Sequence, residues 1–152
     1  MERVWVYQSN RFLTGTEVEK LRNKLTGFIN EWTAHGSALA GSFDIVYDLF
    51  IVLRVNEQQA AVTGCSIDKS TYFLKDLEKE FGFNLFDRWS ISYRDQDNVI
   101  QLATKEEFTE LIEQGVIGEQ TVVFNNLVNN QDDFINNWEV PLKDSWHARV
   151  FL

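Results

Sequence analysis

The stretch Phe43-Asp-Ile-Val-Tyr-Asp-Leu-Phe-Ile-Val-Leu-Arg-Val55 decides the fold of this chain. Apolar residues occupy every second position from Phe43 to Val55, which is typical of a β-strand. Thirteen residues exceed the usual length of one strand. The stretch therefore predicts either one long strand that bends or a hairpin that turns near Tyr47-Asp48. It has no Gly or Asn for the positive φ angles that a two-residue hairpin favours, so both alternatives stand.

The segments on either side of this stretch show helical and strand patterns in turn. Helical spacing runs from Thr16 to about Trp32, with Thr14 or Thr16 as N-cap, and from about Ser66 to Phe81. Residues 34–41 form a loop of small residues. The further predicted elements are strand 4–7, strand 86–93, its hairpin partner 99–102, a short helix from 104 that Gly115 closes, and strand 121–124.

This order predicts an α+β sandwich in which helices cover a mixed sheet. If the chain turns at Tyr47-Asp48, the first six elements follow the β-α-β-β-α-β order of ferredoxin-like folds. If it does not turn, the order approaches a thioredoxin-like one. A length of 152 residues favours a single domain over residues 1–152. We expect residues 125–152, rich in Asn and aromatic residues, to form an irregular segment that packs on this domain.

Acidic residues outnumber basic residues by 23 to 14, which gives a net charge of −9. Proteins that bind nucleic acid or anionic membranes neutralise phosphates with Lys and Arg, so this balance argues against both partners. The chain begins without a signal-peptide pattern and Cys65 is its only cysteine, so we expect a cytoplasmic protein. The expected partner is a protein or a small molecule, with homodimerisation through an aromatic patch as an open alternative.

The run Gly64-Cys-Ser-Ile-Asp-Lys-Ser-Thr71 invites comparison with the phosphate-binding loop of ATPases. That loop has the form G-x-x-x-x-G-K-[ST], because its glycines let backbone N–H groups wrap a phosphate. Here Gly64 lies five residues before Lys69 instead of six, and Asp68 takes the place of the second glycine. The spacing and the negative charge exclude a phosphate site of that type.

Cys65 and the two histidines are the candidate catalytic residues. A helix that starts near Ser66 would place Cys65 at its positive end, where a thiol ionises more readily. Asp68 would oppose this effect, or would cap the helix with Ser66, in which case Cys65 is structural. An enzyme would use Cys65 as nucleophile with His35 or His147 as base. These residues lack the short ligand spacings of a zinc site, so neither a metal nor a cofactor is expected.

The candidates for ligand binding are Asp68, Asn125, Asn126 and Trp146. Asn125 and Asn126 follow the last predicted strand directly, and strand ends are frequent ligand sites in α/β sheets. Their alternative role is a local turn, which Asn favours. Trp146 precedes His147, and Asp68 lies in the same helix start as Cys65.

Three segments carry a resemblance to a known family: Trp32-Thr-Ala-His-Gly36, Thr63-Gly-Cys-Ser-Ile-Asp-Lys-Ser70 and Asn137-Trp-Glu-Val-Pro-Leu-Lys-Asp-Ser-Trp-His147. On these segments the chain resembles, over nearly its whole length, a family of small uncharacterised Bacteroidota proteins with the automatic label "ABC transporter ATPase". An ABC nucleotide-binding domain needs the phosphate loop, an LSGGQ-type signature and an acid pair after an apolar strand. The sequence contains none of them, so the resemblance implies a lineage and no functional residues.

The sequence therefore favours a non-catalytic binding or protein-interaction module, because no convincing set of catalytic groups is present. The alternative is a small enzyme that uses Cys65 with His35 or His147 as base. The two hypotheses differ in geometry, since direct activation of Cys65 requires an imidazole within hydrogen-bond reach.

Overall fold

The computed structural model describes residues 2–152, and within them it has five α-helices and nine β-strands. The class is α+β, as the sequence predicts. The strands are β1 (Glu2–Gln8), β2 (Thr33–Ala34), β3 (Ser37–Ala38), β4 (Ala40–Val46), β5 (Phe50–Asn56), β6 (Ile91–Arg94), β7 (Ile100–Ala103), β8 (Val122–Phe124) and β9 (Glu139–Pro141). The helices are α1 (Gly15–Glu31), α2 (Gly64–Phe81), α3 (Lys105–Glu113), α4 (Gln131–Asn137) and α5 (His147–Phe151), with a 3₁₀ turn at Leu142–Asp144. None of these helices is long and apolar enough to cross a lipid bilayer.

Residues 43–55 form a hairpin rather than one bent strand. Strands β4 and β5 pair antiparallel, with Val46 opposite Phe50, and residues 47–49 make the turn. Tyr47 and Asp48 adopt φ angles of 55° and 54°, and the Leu49 N–H donates to the Val46 carbonyl at 3.1 Å. Positive φ is costly for a residue such as Tyr, so other contacts must hold this turn. The bent strand, and the thioredoxin-like order that depends on it, is therefore wrong.

The second sheet holds Tyr47 in this turn. The Tyr47 hydroxyl donates to Glu139 Oε2 at 2.9 Å, and its ring stacks on that of Trp138 with 5.9 Å between centroids. The Arg94 guanidinium lies 5.1 Å from the centroid of the Tyr47 ring, and its Nε donates to Glu139 Oε1 at 2.7 Å. Tertiary contacts thus replace the Gly or Asn that would favour the turn locally, which is why the local sequence does not identify it.

The first sheet has the order β1-β5-β4 and is antiparallel throughout. The first three strands of a ferredoxin-like fold are arranged in this way, with α1 crossing from β1 to β4. The fourth strand of that fold would lie on the free edge of β1. Here Asn129 and Asn130 occupy this edge, where the Val4 N–H donates to the Asn129 carbonyl at 3.0 Å. The ferredoxin-like order is therefore not confirmed beyond three strands.

Strand β6, which a ferredoxin-like fold would place fourth, belongs to a second sheet with the order β7-β6-β8-β9. Every strand pairing described in residues 2–152 is antiparallel, which corrects the prediction of a mixed sheet. A parallel neighbour would require a crossover that returns to the same sheet. After α2, however, residues 82–90 carry the chain into the second sheet.

Strand β5 lies at the centre of the molecule and is covered on both faces. Successive side chains of a strand point to opposite faces. Ile51 and Leu53 pack with apolar residues of α1 and α2, whereas Phe50 packs with Phe124 and Trp138 from the second sheet and its flanking segment. The layers therefore follow the order helices, first sheet, second sheet. The second sheet has its own apolar cluster with α3 and α5.

Residues 125–152 are largely regular, which corrects the prediction of an irregular segment. They contain α4, β9, the 3₁₀ turn and α5. Trp138 anchors them, because its ring is 5% exposed and lies 4.9 Å from that of Phe50 and 5.0 Å from that of Phe124. The Asn residues also act locally, since the Asn130 side chain caps α4 by accepting from the Asp133 N–H at 2.8 Å.

Helix α2 begins at Gly64, two residues before the predicted start near Ser66, because Thr63 is its N-cap. The Thr63 hydroxyl accepts from the Ser66 N–H at 3.1 Å, and the Ser66 hydroxyl accepts from the Thr63 N–H at 2.8 Å. This reciprocal pair satisfies two backbone donors at the end of the helix. Cys65 therefore lies within the first turn of α2.

Strand β6 begins at Ile91, five residues later than the sequence predicts. The Asp87 carboxylate accepts from the Trp89 N–H at 2.9 Å, which bends the chain before the strand. Asp favours such local turns because its short side chain reaches the backbone two residues on. The alternation from Phe86 onwards therefore belongs to a loop, and this loop forms one wall of the site described next.

Candidate binding site

A cleft of about 250 Å³ lies where the end of β1, the loop of residues 85–90, the end of β8 and the start of α5 meet. Its lining joins apolar and aromatic side chains to two charged residues, Asp87 and Arg88, and to five uncharged polar residues, which are Gln8, Ser90, Ser92, Asn126 and His147. Three of the five are buried: Gln8 is 8% exposed, Ser92 2% and His147 3%. Buried polar groups need hydrogen-bond partners, so the partners define what the cleft can bind.

Gln8 is the centre of a hydrogen-bond network on one side of the cleft. Its Nε2 donates to the Ser90 carbonyl at 2.7 Å, and its Oε1 accepts from Ser92 Oγ at 2.8 Å and from Asn126 Nδ2 at 3.1 Å. Asn126 Oδ1 accepts in turn from Trp138 Nε1 at 2.9 Å. The network joins β1, β6 and the two segments that flank α4. It therefore fixes this wall of the cleft.

The register of β1 explains why Gln8 is buried. Val4, Val6 and Gln8 share one face of the strand, because side chains alternate between faces. Val6 packs between the sheets against the cluster that contains Phe50 and Trp138. Gln8 enters the same interface, where an amide without partners would cost about 1–3 kcal/mol. Its three hydrogen bonds offset that cost.

His147 is the first residue of α5 and also lines the cleft. Its backbone N–H donates to Ser145 Oγ at 3.2 Å, and its Nδ1 lies 3.0 Å from the same oxygen. Its ring stacks on that of Trp146, with 3.9 Å between centroids and 24° between planes. Burial lowers the pKa of His147 to about 4, because the charged form loses its hydration. The imidazole is therefore neutral at pH 7.

Trp146 presents an aromatic surface to the cleft, and residues that do not line the cleft hold its ring in position. The ring of Trp89 meets that of Trp146 edge to face at 6.2 Å. Lys105 Nζ lies 4.3 Å from the centroid of the Trp89 ring and ties the pair to the start of α3. Aromatic side chains held in this way offer a rigid surface on which a planar molecule can stack.

A second depression, of about 660 Å³, lies beside the turn between β6 and β7. Its lining includes Asp95, whose carboxylate accepts from the Asp97 and Val99 N–H groups and from Gln101 Nε2. These bonds shape the turn itself and lower the pKa of Asp95. The carboxylate of Asp95 is thus used locally, and we take the cleft beside α5, which buries three of its polar side chains, as the better candidate site.

Three of the residues that the sequence singles out meet in the cleft, and they are Asn126, Trp146 and His147. Asn125, by contrast, points its Oδ1 at the Leu127 N–H, at 3.2 Å, and makes the local turn that was the alternative to ligand binding. The two neighbouring Asn residues thus have different roles. The sequence identifies Asn125 and Asn126 as candidates, but it does not predict which of the two lines the cleft and which forms the turn.

The other candidates lie elsewhere. Cys65 and Asp68 are exposed on the first turns of α2, and neither lines the cleft. His35 is exposed at the turn of the β2–β3 hairpin, where His35 and Gly36 have φ angles of 50° and 78°. Residues 34–41, predicted as a loop, thus contain a tight hairpin. In the part of the chain that the structure describes, no cluster of three or more His, Cys, Asp or Glu is placed to hold a metal ion.

Sequence reasoning misses Gln8 and Ser92, although one signal points to Gln8. Gln8 continues the phase of Val4 and Val6 in β1, so its side chain faces the same interior. Ser92 lies between the apolar residues Ile91 and Tyr93 in a strand that is buried on both faces. A polar residue at an apolar position of a strand is the signal that could have found Gln8, whereas Ser92 shares its phase with Ser90 and Arg94 and carries no such signal.

Comparisons of the chain with protein-family models, with curated proteins and with solved structures find no match. The resemblance to the Bacteroidota family therefore stays a prediction. The function has to be argued from the cleft itself.

Proposed function

We propose that the protein is a non-catalytic binding module that holds a small, uncharged, ring-containing molecule in the cleft beside α5. The observation that carries this proposal is the convergence of Asn126, Trp146 and the buried His147 on one cleft. Ligand sites typically combine an apolar and aromatic lining with a few positioned polar groups. The cleft has this composition, and the Gln8 network keeps it in place.

The volume of the cleft supports a ligand of one or two rings. Drug-sized ligands occupy pockets of about 300–1,000 Å³, and an apolar cavity of about 150 Å³ can hold benzene. At about 250 Å³ the cleft lies between these sizes.

The electrostatics of the cleft support an uncharged ligand. Its buried polar residues carry no charge at pH 7, because the pKa of His147 is about 4 and Gln8 and Ser92 do not ionise there. An ion buried without a partner is costly. The charged residues of the wall, Asp87 and Arg88, are exposed and opposite in sign, so together they favour neither an anion nor a cation.

The alternative, an enzyme that uses Cys65, finds no support in this geometry with His147 as base. Cys65 with His35 as base stays a competing proposal, because the hairpin that carries His35 contacts α2, where Lys69 Nζ donates to Thr33 Oγ1 at 3.1 Å. A nucleophile and its base must lie within hydrogen-bond reach, and Cys65 faces solvent on α2 while His147 lies in the cleft. Ser145 is not an activated nucleophile either, although it contacts His147. Its hydroxyl proton is donated to the Leu142 carbonyl at 2.9 Å.

We further propose that the protein works in the cytoplasm and that a small molecule, rather than nucleic acid or a membrane, is its partner. The single cysteine and the net charge of −9 support both statements. A protein partner and a homodimer remain the competing proposals, and they predict contacts outside the cleft.

Calorimetric titration of the full chain with two uncharged probes, indole and phenol, tests the proposal. Ser90→Tyr adds a large side chain to the lining and is expected to abolish binding. Ser37→Tyr makes the same change on the exposed strand β3 and serves as the matched control. We expect the wild type and Ser37→Tyr to bind at least one probe. Failure of the wild type to bind either, or unchanged binding by a natively folded Ser90→Tyr variant, would contradict the proposal.

A further inference from the structure

We infer that His147 Nε2 is the hydrogen-bond acceptor that selects the ligand, so the cleft prefers a planar, uncharged molecule that donates an N–H or O–H group. This inference rests on the proposed function and adds the chemical class of the ligand. It follows from the hydrogen bonds of Ser145, from the open position of Nε2 and from the fixed plane of the imidazole.

The Ser145 hydroxyl determines which imidazole nitrogen carries the proton. A serine hydroxyl has one proton to donate and two lone pairs to accept with. The proton goes to the Leu142 carbonyl at 2.9 Å, and one lone pair accepts from the His147 backbone N–H at 3.2 Å. Nδ1, 3.0 Å from the same oxygen, must therefore be the donor to the second lone pair. A neutral imidazole protonated at Nδ1 has an unprotonated Nε2.

The lone pair of Nε2 has no donor within the protein. Every fully buried side-chain nitrogen or oxygen in residues 2–152 has a hydrogen-bond partner within the protein. Nε2 has no such partner, so it keeps some exposure, and we assign that exposure to the cleft because His147 lines it. The side chain around it is 3% exposed. A ligand that covers Nε2 without donating to it would leave a buried acceptor unpaired, which is costly, whereas a ligand that donates to Nε2 avoids that cost.

The orientation of the imidazole makes the preference directional. The ring is stacked on Trp146 at 3.9 Å, and the Phe108 ring lies 6.4 Å away. The Nε2 lone pair lies in the plane of the imidazole, so the donor of the ligand must approach within that plane. The nearby acceptors Gln8 Oε1 and Asn126 Oδ1 already have protein donors.

The class of ligand follows from this arrangement. Sites built around a hydrogen bond discriminate strongly against analogues that lack the matching group, because a buried polar atom is then left unpaired. A ring with an N–H or O–H group fits Nε2, whereas a ring that offers only lone pairs would place them against the nitrogen lone pair. Carboxylates are rejected for the same reason.

Two matched pairs of probes test the inference on the full chain: indole against 1-methylindole, and phenol against anisole. Each pair differs by a methyl group that replaces the donated proton. We expect the donor of each pair to bind roughly tenfold or more tightly, as loss of one hydrogen bond to a buried acceptor predicts. Equal affinities within both pairs would overturn the inference and leave the proposed function intact. Failure of all four probes to bind would overturn both.

A second measurement tests the role of His147 without relying on affinity. We expect ¹⁵N spectra of the histidines at pH 7 to show Nδ1 protonated and Nε2 unprotonated in His147, and the Nε2 resonance to move when indole binds. In Ser145→Ala the Nδ1 donor loses its acceptor, so we expect a mixture of tautomers and a smaller preference for indole over 1-methylindole. A protonated Nε2 in the wild type would overturn the inference.

Discussion

The start of α2 and the cleft beside α5 each hold a residue with functional chemistry, but their polar groups are engaged in opposite ways. At the start of α2, Thr63 and Ser66 satisfy each other's backbone N–H groups, and Cys65 faces solvent between them. In the cleft, Gln8 reaches partners more than eighty residues away in sequence, and His147 keeps one ring nitrogen unpaired.

This difference between the start of α2 and the cleft shows which polar side chains serve only the stability of the fold and which do not. Helix capping accounts for the Thr63 and Ser66 side chains at the start of α2. Cys65 is exposed there and does not line the cleft. The cleft buries an imidazole and an amide at a cost in free energy. His147 Nε2 has no hydrogen-bond partner within the protein, so it adds nothing to the stability of the fold. The proposed ligand gives this nitrogen a role.

The largest effect is expected from Gln8→Leu. The substitution leaves the Ser90 carbonyl, the Ser92 hydroxyl and the Asn126 amide without their partner, and each such loss in a buried site costs about 1–3 kcal/mol. We expect the free energy of unfolding to fall by about 4 kcal/mol in urea denaturation. Gln59→Leu on the exposed loop before α2 is the matched control and should change it by less than about 0.5 kcal/mol.

The second effect is a dependence of stability on pH. His147 has a pKa of about 4 in the folded protein and an ordinary value near 6.5 in the unfolded chain. Between these values the unfolded chain binds the proton more tightly, so stability falls as the pH falls from 6.5 to 4, by about 3 kcal/mol. We expect His147→Gln to lose this decrease of the unfolding free energy between pH 6.5 and 4, whereas His35→Gln at the exposed hairpin should keep it. Urea denaturation at several pH values measures both. Equal slopes in both variants would contradict the burial of His147.

A smaller effect separates the two neighbouring asparagines. Asn126→Ala removes the acceptor of Trp138 Nε1 and one donor to Gln8, and should cost about 2 kcal/mol of stability. Asn125→Ala removes one exposed bond to the Leu127 N–H and should cost less than about 1 kcal/mol. Thermal unfolding of the two variants measures the difference. A larger loss for Asn125→Ala would break the proposed division of roles.

The smallest effect is expected at Cys65. Cys65→Ser should change the free energy of unfolding by less than about 0.5 kcal/mol, because the side chain is exposed. Alkylation of the wild type with iodoacetamide should leave the binding of indole unchanged. If either change abolished the binding of indole, the binding site would lie at the start of α2 and not in the cleft.

Much of the fold could be predicted from periodicity. The alternation of residues 43–55 predicts strand structure, Thr14 is one of the two N-caps suggested for α1, and α3 begins within one residue of its predicted start at 104. The turn at Tyr47 and Asp48 is not predictable locally, because the second sheet supplies the contacts that hold it. The same holds for the edge of β1, which is filled by residues more than a hundred positions later.

The site could be predicted only in part, for a similar physical reason. Asn126, Trp146 and His147 are recognisable as residue types with binding chemistry. Their meeting depends on the pairing of β6 with β8 and on the docking of α5, which no short window of sequence contains. Gln8 escapes notice because its role is set by partners in three distant segments.

A chemical-shift titration of the ¹⁵N-labelled full chain with indole tests the central claim most directly. We predict that the largest changes fall on the side-chain amides of Gln8 and Asn126 and on the backbone amides of Ser90 and His147, and that residues 63–68 do not respond. Changes centred on residues 63–68, or spread over the exposed surface without a cluster at the cleft, would contradict the account.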